Sequence, residues 1–153
     1  MQVSETEMLI PYTRGFRNSH APVAHLSISH QGIFICNFLF VFIRWDEISA
    51  LVPYSQDSKG APRRLGIVLQ DSKAVLARFL EENSRNFWQR ALYSFLVKIS
   101  AWFLRFSKAP SLLYIGQEVL PISIDELVMA LQERFATELC EYHISVYSGN
   151  NKR

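Results

Sequence analysis

The sequence predicts an α+β fold in which a set of short strands precedes a set of helices. Short apolar segments rich in Ile, Val and Phe follow one another between residues 24 and 69, and polar turns separate them, as is typical of antiparallel strands. Beyond Asp71 the apolar residues recur at the spacing of a helix. The 153 residues are 49% hydrophobic and only 20% charged, so the chain can bury one substantial core.

The strands are predicted to begin with a hairpin. Leu26 and Ile28 alternate with serines, and the sequence His30-Gln31-Gly32 supplies a turn before the next apolar run. The later run over 38–43 is apolar throughout, which is typical of a strand buried on both faces. In order along the chain, the predicted strands are 24–29, 33–36, 38–43, 48–54 and 65–69.

Two helices are predicted after the last of these strands. Asp71 can cap the first helix, 72–82, because its carboxylate accepts hydrogen bonds from the amide groups of the first turn. The second helix is the longest predicted element and covers 85–108. A short strand over 112–115 follows, so the two helices form an insertion between late strands.

A final helix is predicted to close the domain. It begins at Ser123, which has the spacing of a capping box with Glu126. Its apolar side chains recur every 3.6 residues and are predicted to pack across the sheet, namely Leu127, Val128, Leu131 and Phe135. The side chains predicted to face solvent on this helix are Glu133, Arg134 and Glu138.

One domain over 24–143 accounts for these elements, with the insertion helices at about 72–108. Residues 1–23 are predicted to be an N-terminal arm that is irregular or forms one edge strand, and residues 144–153 are predicted to be a tail. The N-terminal residues show neither the basic nor the apolar region of a secretory signal, and no long apolar run suggests a membrane span. We therefore expect a cytoplasmic location.

Metal and catalytic chemistry find little support in the residue pattern. The histidines His20, His25 and His30 recur every five residues, which suits neither one face of a helix nor one face of a strand. Cys36 and Cys140 lie in no Cys/His metal pattern, and both are predicted to be reduced, buried thiols. The chain has no GxSxG turn and no phosphate-binding glycine loop. We expect no enzymatic site, no metal and no cofactor.

The predicted long helix has an unusual composition. Between Asn83 and Gln117 the chain has five basic residues and no acidic one. The basic residues of one narrow helical stripe are Arg90, Lys98, Arg105 and Lys108. Large apolar residues fill the opposite side, and they include Trp88, Phe95, Trp102 and Phe106. This apolar side is wider than one sheet can cover, so something more is expected to cover it.

Three ways to cover the apolar side remain open from the sequence. The rest of the domain can pack around it. Alternatively, a protein partner or a second copy can bind it through Trp88, Phe95, Trp102, Phe106 and Arg105, residue types that are frequent at interface hot spots. The third is an anionic membrane surface, contacted by Arg90, Lys98, Arg105 and Lys108. Nucleic acid is not expected, because the net charge is only +2 and the charged and aromatic residues do not interleave.

Three segments of the chain carry a resemblance to a known family. They are FIRWDEISALVPY, LGIVLQDSKAVLARF and LPISIDELVMALQERF. Together they resemble an uncharacterised bacterial family of small proteins related to pleckstrin-homology (PH) domains, which has an Ile-Pro-Trp-Ser-Glu-Ile-like motif where this chain has Ile43–Ile48, and a Leu-Pro-Ile-Ser-like helix cap. The resemblance implies a bent antiparallel sheet of the PH type, closed by a C-terminal helix and carrying the two-helix insertion.

The resemblance also implies a binding role. PH-like domains bind phosphoinositides, peptides or proteins, but the basic loop that holds phosphoinositides is not matched by His30-Gln31-Gly32. We therefore expect a non-enzymatic PH-like module that binds a protein partner, or itself, through the aromatic helix and the nearby sheet surface. An immunity-type protein that neutralises a bacterial toxin is a specific form of this expectation. Association with an anionic membrane through the basic stripe is the alternative.

Overall fold

The protein was analysed as a computed structural model, which describes residues 2–3, 7–11, 24–36, 40–55, 63–83, 87–88, 90–92, 94–95, 98, 113–117 and 120–147. These residues form a mixed α+β structure with two sheets, which confirms the predicted class. The strands are β1 Gln2–Val3, β2 Glu7–Pro11, β3 Ala24–Ser29, β4 Gly32–Cys36, β5 Phe40–Arg44, β6 Ile48–Tyr54, β7 Arg64–Leu69, β8 Leu113–Gly116 and β9 Ser145–Val146. The α-helices are α1 Ser72–Asn83, α2 Ile124–Arg134 and α3 Ala136–Glu141, and Trp45–Glu47 forms a 3₁₀ turn.

The first sheet is an antiparallel meander in the order β1-β2-β3-β4-β5. Alternate residues of each strand point to one face, so the same register that pairs the backbones also aligns the apolar side chains. One fully buried row crosses four strands, and it consists of Met8, Ile28, Ile33 and Ile43. Strand β2 belongs to the segment predicted as an N-terminal arm, and it pairs with β3 along most of its length.

Gly32 begins β4 at the predicted turn, and its place requires glycine. Its φ angle is +153°, which L-residues with a side chain rarely adopt. A Cβ atom at this position would overlap the backbone of Ile43 and Arg44 in the neighbouring strand. The missing side chain therefore lets the two strands approach closely where β4 begins and β5 ends.

The second sheet has the order β8-β7-β6-β9. Strands β6, β7 and β8 are antiparallel, whereas β9 pairs with β6 in parallel. Strand β9 lies in the segment predicted as the tail, and Tyr147 extends its pairing by a backbone hydrogen bond of 3.0 Å to the Leu51 carbonyl. The buried face of this sheet includes Leu51, Leu65, Ile67 and Ile115.

The cap of α2 is the one that the sequence predicts. The Ser123 hydroxyl accepts a hydrogen bond from the Glu126 backbone N–H at 3.2 Å, and the Glu126 carboxylate accepts one from the Ser123 backbone N–H at 2.8 Å. The hydrogen bond from the Ser123 N–H, and a second that the Ser123 hydroxyl donates to the carboxylate at 2.9 Å, hold the pKa of Glu126 below its usual value. The predicted apolar face is also confirmed, because Leu127, Val128, Leu131 and Phe135 are all buried.

The prediction that Glu138 faces solvent is wrong. The α2 helix ends at Arg134, Phe135 leaves the helical conformation with φ −114° and ψ 27°, and a new helix starts at Ala136. Glu138 lies seven residues beyond Leu131 and three beyond Phe135, on the side that faces the core, and its carboxylate pairs with the His30 ring Nδ1. Its spacing from Leu131 and Phe135 already places Glu138 on the apolar face, whereas its charge suggested a position in solvent.

The prediction that Cys140 is buried is also wrong. Its thiol is free and exposed, because α3 turns Leu139 inward and the next residue outward. The side-chain environment of Cys36 lies outside the described residues. None of the described helices is long and apolar enough to cross a membrane.

Loss of the α2 cap should destabilise the fold measurably. Replacing Ser123 with Ala leaves an amide group of the first turn without its acceptor, and we expect the free energy of unfolding to fall by about 1 kcal/mol. Such a loss corresponds to a melting temperature lower by about 2–4 °C in a domain of this size. Gln132→Ala, an exposed change on the same helix, is the control. Equal melting temperatures for the two variants would contradict the role of the cap.

Candidate interaction surface

The first insertion helix begins as predicted from Asp71. One carboxylate oxygen of Asp71 accepts hydrogen bonds from the backbone N–H groups of Lys73 and Ala74 at 3.0 and 3.1 Å. The helix α1 that follows buries Val75 and Phe79, which are four residues apart and so lie on one face. This face packs α1 on the domain, while most of its other residues remain exposed.

An ion pair beside this buried face fixes the position of α1. The Arg78 guanidinium donates two hydrogen bonds of 2.7 Å to the two carboxylate oxygens of Glu47, which lies in the 3₁₀ turn between the two sheets. A third bond of 2.9 Å goes to the Phe42 backbone carbonyl in β5, and a fourth of 2.7 Å goes to Glu82 on the same helix. Both Arg78 and Glu47 are largely buried, so α1 has a defined position against β5 and the turn.

Opposing effects set the charge state of this pair. Burial alone would raise the pKa of Glu47, but hydrogen bonds from Arg78 and from the Arg44 backbone N–H, together with both positive charges, outweigh burial and lower the pKa. The hydrogen bond to Glu47 is the largest of the effects that raise the pKa of Arg78. Both groups therefore remain ionised near neutral pH. The hydrogen bonds between them are strong because the donor and the acceptor both carry a full charge.

The residues beyond α1 present large apolar side chains to solvent. All the described residues between 87 and 98 are helical, which agrees with the predicted second insertion helix over that stretch. The exposed fractions are 78% for Phe87, 81% for Trp88, 58% for Leu92 and 59% for Phe95. We call these four residues the aromatic patch. The rings of Phe87 and Trp88 meet edge to face, with centroids 6.1 Å apart.

The aromatic patch and the basic residues share one broad exposed surface. Trp88, Leu92 and Phe95 are spaced by four and three residues, which places them on one side of the helix. Arg90 and Lys98 are also exposed. At 3.6 residues per turn, the exposed positions cover more than half of the helix circumference. The described residues therefore leave these aromatic side chains uncovered.

Only some of the predicted site residues can be located. Trp88, Phe95, Arg90 and Lys98 are described and exposed. The others, Trp102, Arg105, Phe106 and Lys108, lie outside the described residues. Phe87 was missed by the sequence analysis, because its position falls in the basic stripe of the helix. Its aromatic ring next to Trp88 is the sequence signal that could have identified it.

Other kinds of site find no support in the described part of the chain. No group of three or more His, Cys, Asp or Glu residues there is arranged to hold a metal ion. The buried carboxylate of Glu138 is already paired with His30, and that of Glu47 with Arg78. The aromatic patch is therefore the strongest candidate for a functional surface among the described residues.

Comparisons of the chain with protein-family models, with curated proteins and with solved structures give no match.

The ion pair of Glu47 should make stability depend on pH. Because the pKa of Glu47 is lowered on folding, its contribution is present above the unfolded value of 4.5 and is lost as the pH falls through the lower folded value. Glu47→Gln should reduce the free energy of unfolding by about 2 kcal/mol at neutral pH, because it leaves Arg78 poorly paired. The difference from the wild-type protein should shrink as the pH falls below 4.5.

Urea titrations at several pH values measure this difference. Asp46→Asn is the matched control, because Asp46 is the neighbouring carboxylate and is exposed. This control should change the free energy of unfolding by less than about 0.5 kcal/mol. A constant gap between the wild-type and Glu47→Gln curves from neutral to acid pH would refute the assigned role of the carboxylate charge.

Proposed function

We propose that this protein is a cytoplasmic, non-enzymatic PH-like module that binds a protein partner through the aromatic patch. The observation that carries the proposal is the exposure of Phe87, Trp88, Leu92 and Phe95 on one helical stretch. Single exposed apolar residues are ordinary on protein surfaces, whereas a group of them commonly marks an interaction site. Trp and Phe are also enriched at protein interfaces, and Trp is prominent among their hot spots.

The order of the described elements supports the PH-like part of the proposal. An antiparallel meander is followed by a second antiparallel set and then by α2, whose buried face belongs to the same core as both sheets. The helical residues from 72 onward stand between β7 and β8, where the resemblance expects the insertion. In this proposal the sheets and α2 form the scaffold, and the insertion carries the binding surface.

Binding to a protein explains the surface better than catalysis does. The aromatic patch offers apolar area and few groups that can move a proton or act as a nucleophile. A partner with an apolar surface would remove that area from water, with a gain of about 25 cal/mol for each Å² buried. A toxin neutralised by an immunity-type protein is a narrower form of the same proposal, with the toxin as the partner.

Affinity capture with matched variants tests the proposal. Trp88→Ala combined with Phe95→Ala removes much of the aromatic patch and should reduce capture of a specific protein at least tenfold, because hot-spot residues dominate binding. Tyr147→Ala is the control, since Tyr147 is a similarly exposed aromatic residue outside the patch. Quantitative mass spectrometry of proteins bound to the wild-type protein and to both variants measures the effect.

The variants must remain folded for this comparison. Both changes affect exposed side chains, so we expect stabilities within about 0.5 kcal/mol of the wild-type protein. Capture of the same proteins in equal amounts by all three forms would show that the aromatic patch is not the binding surface. Capture of nothing above an empty resin, from the cells that make the protein, would count against a stable protein partner.

Association with an anionic membrane is the second candidate function. The observation that favours it is that Arg90 and Lys98 are exposed on the same stretch as the aromatic patch. On a membrane surface, aromatic side chains enter the interface while basic side chains remain at the lipid headgroups. Each basic residue near an anionic surface contributes about 1 kcal/mol, and this contribution is screened by salt.

Vesicle flotation separates this function from the first. A membrane-binding protein should float with vesicles that contain phosphatidylserine, remain behind with neutral vesicles, and lose binding as salt is added. Lys98→Ala should then lower the bound fraction about fivefold, which corresponds to one lost basic contact. Lys73→Ala, at an exposed basic residue of α1, is the control. Failure to float with either kind of vesicle would exclude the membrane function.

A further inference from the structure

The helix α2 presents a surface that is complementary to the aromatic patch. Its buried side faces the core, and its exposed residues carry three carboxylates and one basic side chain, Arg134, in the last turn. Met129 lies in the middle of these exposed residues and is 54% exposed, which is unusual for a large apolar residue of this chain. The exposed residues around it on successive turns are Asp125, Glu126, Gln132 and Glu133. We call these five residues the acidic face.

The charges of the two surfaces are opposite. The stretch that carries the aromatic patch has Arg90 and Lys98 exposed, and the sequence from Asn83 to Gln117 contains no acidic residue. The acidic face has three carboxylates and no basic side chain. The lowered pKa of Glu126 keeps one of these carboxylates ionised well below neutral pH. Surfaces with this arrangement attract each other and resist contact with copies of themselves.

We propose that a second copy of this chain docks its acidic face on the aromatic patch. The proposal deepens the proposed function, on which it rests, by identifying the protein partner as another copy. Patch-to-patch pairing would bring the basic residues of two copies together, and face-to-face pairing would do the same for the carboxylates. Patch-to-face contact avoids both kinds of repulsion.

The chemistry of the contact suits Met129. Its thioether is flexible and polarizable, and it makes favourable contacts with aromatic rings such as those of Trp88 and Phe95. Carboxylates on either side of Met129 would then lie opposite Lys98 and Arg90, at the edge of the contact. This arrangement has an apolar centre and a charged rim, which is the usual anatomy of a protein interface.

The size of the contact indicates weak association. An aromatic side chain buries roughly 150–250 Å², so three rings and a leucine would bury well under 1,000 Å² on one partner. The total over both partners would be near the lower end of specific interfaces, where transient complexes are found. We therefore expect association that depends on protein concentration, and that salt weakens because of the charged rim.

Because the two surfaces differ, the contact is heterologous. Each molecule then has one patch and one face to offer, and the copies join head to tail. This geometry has a consequence that a symmetric contact lacks. A molecule without a working patch and a molecule without a working face should each be monomeric alone, yet the two should pair when mixed.

Sedimentation velocity on the full chain tests this consequence. Trp88→Ala with Phe95→Ala removes the patch, and Met129→Lys disrupts the face by placing a charged amine at the apolar centre of the contact. Each variant alone should associate at least tenfold more weakly than the wild-type protein, because each loses the centre of the interface. An equimolar mixture of the two variants should recover a 1:1 complex. Thr137→Lys is the control, because it adds the same charge at an exposed position of α3.

Three other outcomes of this experiment would overturn the inference. A wild-type protein that stays monomeric at all concentrations would exclude docking between copies, and the proposed function would still stand if affinity capture finds a different protein that depends on the patch. Self-association that Met129→Lys leaves unchanged would show a contact elsewhere, such as patch to patch. A mixture of variants that stays monomeric while the wild-type protein associates would exclude a head-to-tail contact.

Discussion

The packing of Trp45 joins the parts of this structure. Trp45 lies in the 3₁₀ turn that connects the first sheet to the second, and it is almost completely buried. Its indole N–H donates a hydrogen bond of 2.9 Å to the Ser29 carbonyl, at the end of β3. Its ring packs against Phe135, with centroids 5.6 Å apart, at the junction of α2 and α3. One side chain thus joins the first sheet to the closing helices, within the turn that leads to the second sheet.

The same turn also positions the helical insertion. Glu47, two residues beyond Trp45, accepts two of the four hydrogen bonds that the Arg78 guanidinium donates. That guanidinium also binds the Phe42 carbonyl of β5, which is an edge strand in the order of the first sheet. Edge strands have backbone groups that other chains can pair with, and a helix over an edge limits such pairing. The start of the insertion is therefore held firmly, and the aromatic patch follows a helix with a fixed position.

The interaction surface and the core depend on different residues. The buried rows of the sheets supply the stabilising apolar contacts, whereas Trp88 and Phe95 are mostly exposed. Exposed aromatic side chains add little to folding, so the stability of the fold does not account for their presence on the insertion. For this reason, the proposed surface can be altered while the fold is retained. The acidic face of α2 has the same property, because its side chains point away from the core.

Local interactions were predictable from the sequence, because they join residues a few positions apart. The caps formed by Asp71 and Ser123, the glycine turn before β4 and the apolar face of α2 all belong to this class, and the structure confirms them. The composition of residues 83–117 also pointed to the aromatic patch. Short-range geometry, hydrophobic period and composition are properties of the chain itself, so they can be read without the fold.

Only the tertiary structure decided the contacts between residues that are far apart in the sequence. The carboxylate of Glu138 pairs with His30, 108 positions away, and Cys140 is exposed. The pairing of β9 with β6 and the ion pair between Glu47 and Arg78 also join distant segments. The exposure of the aromatic patch is a result of the same kind. A sequence shows that a helix has an apolar side, but only the packed fold shows whether the rest of the chain covers it.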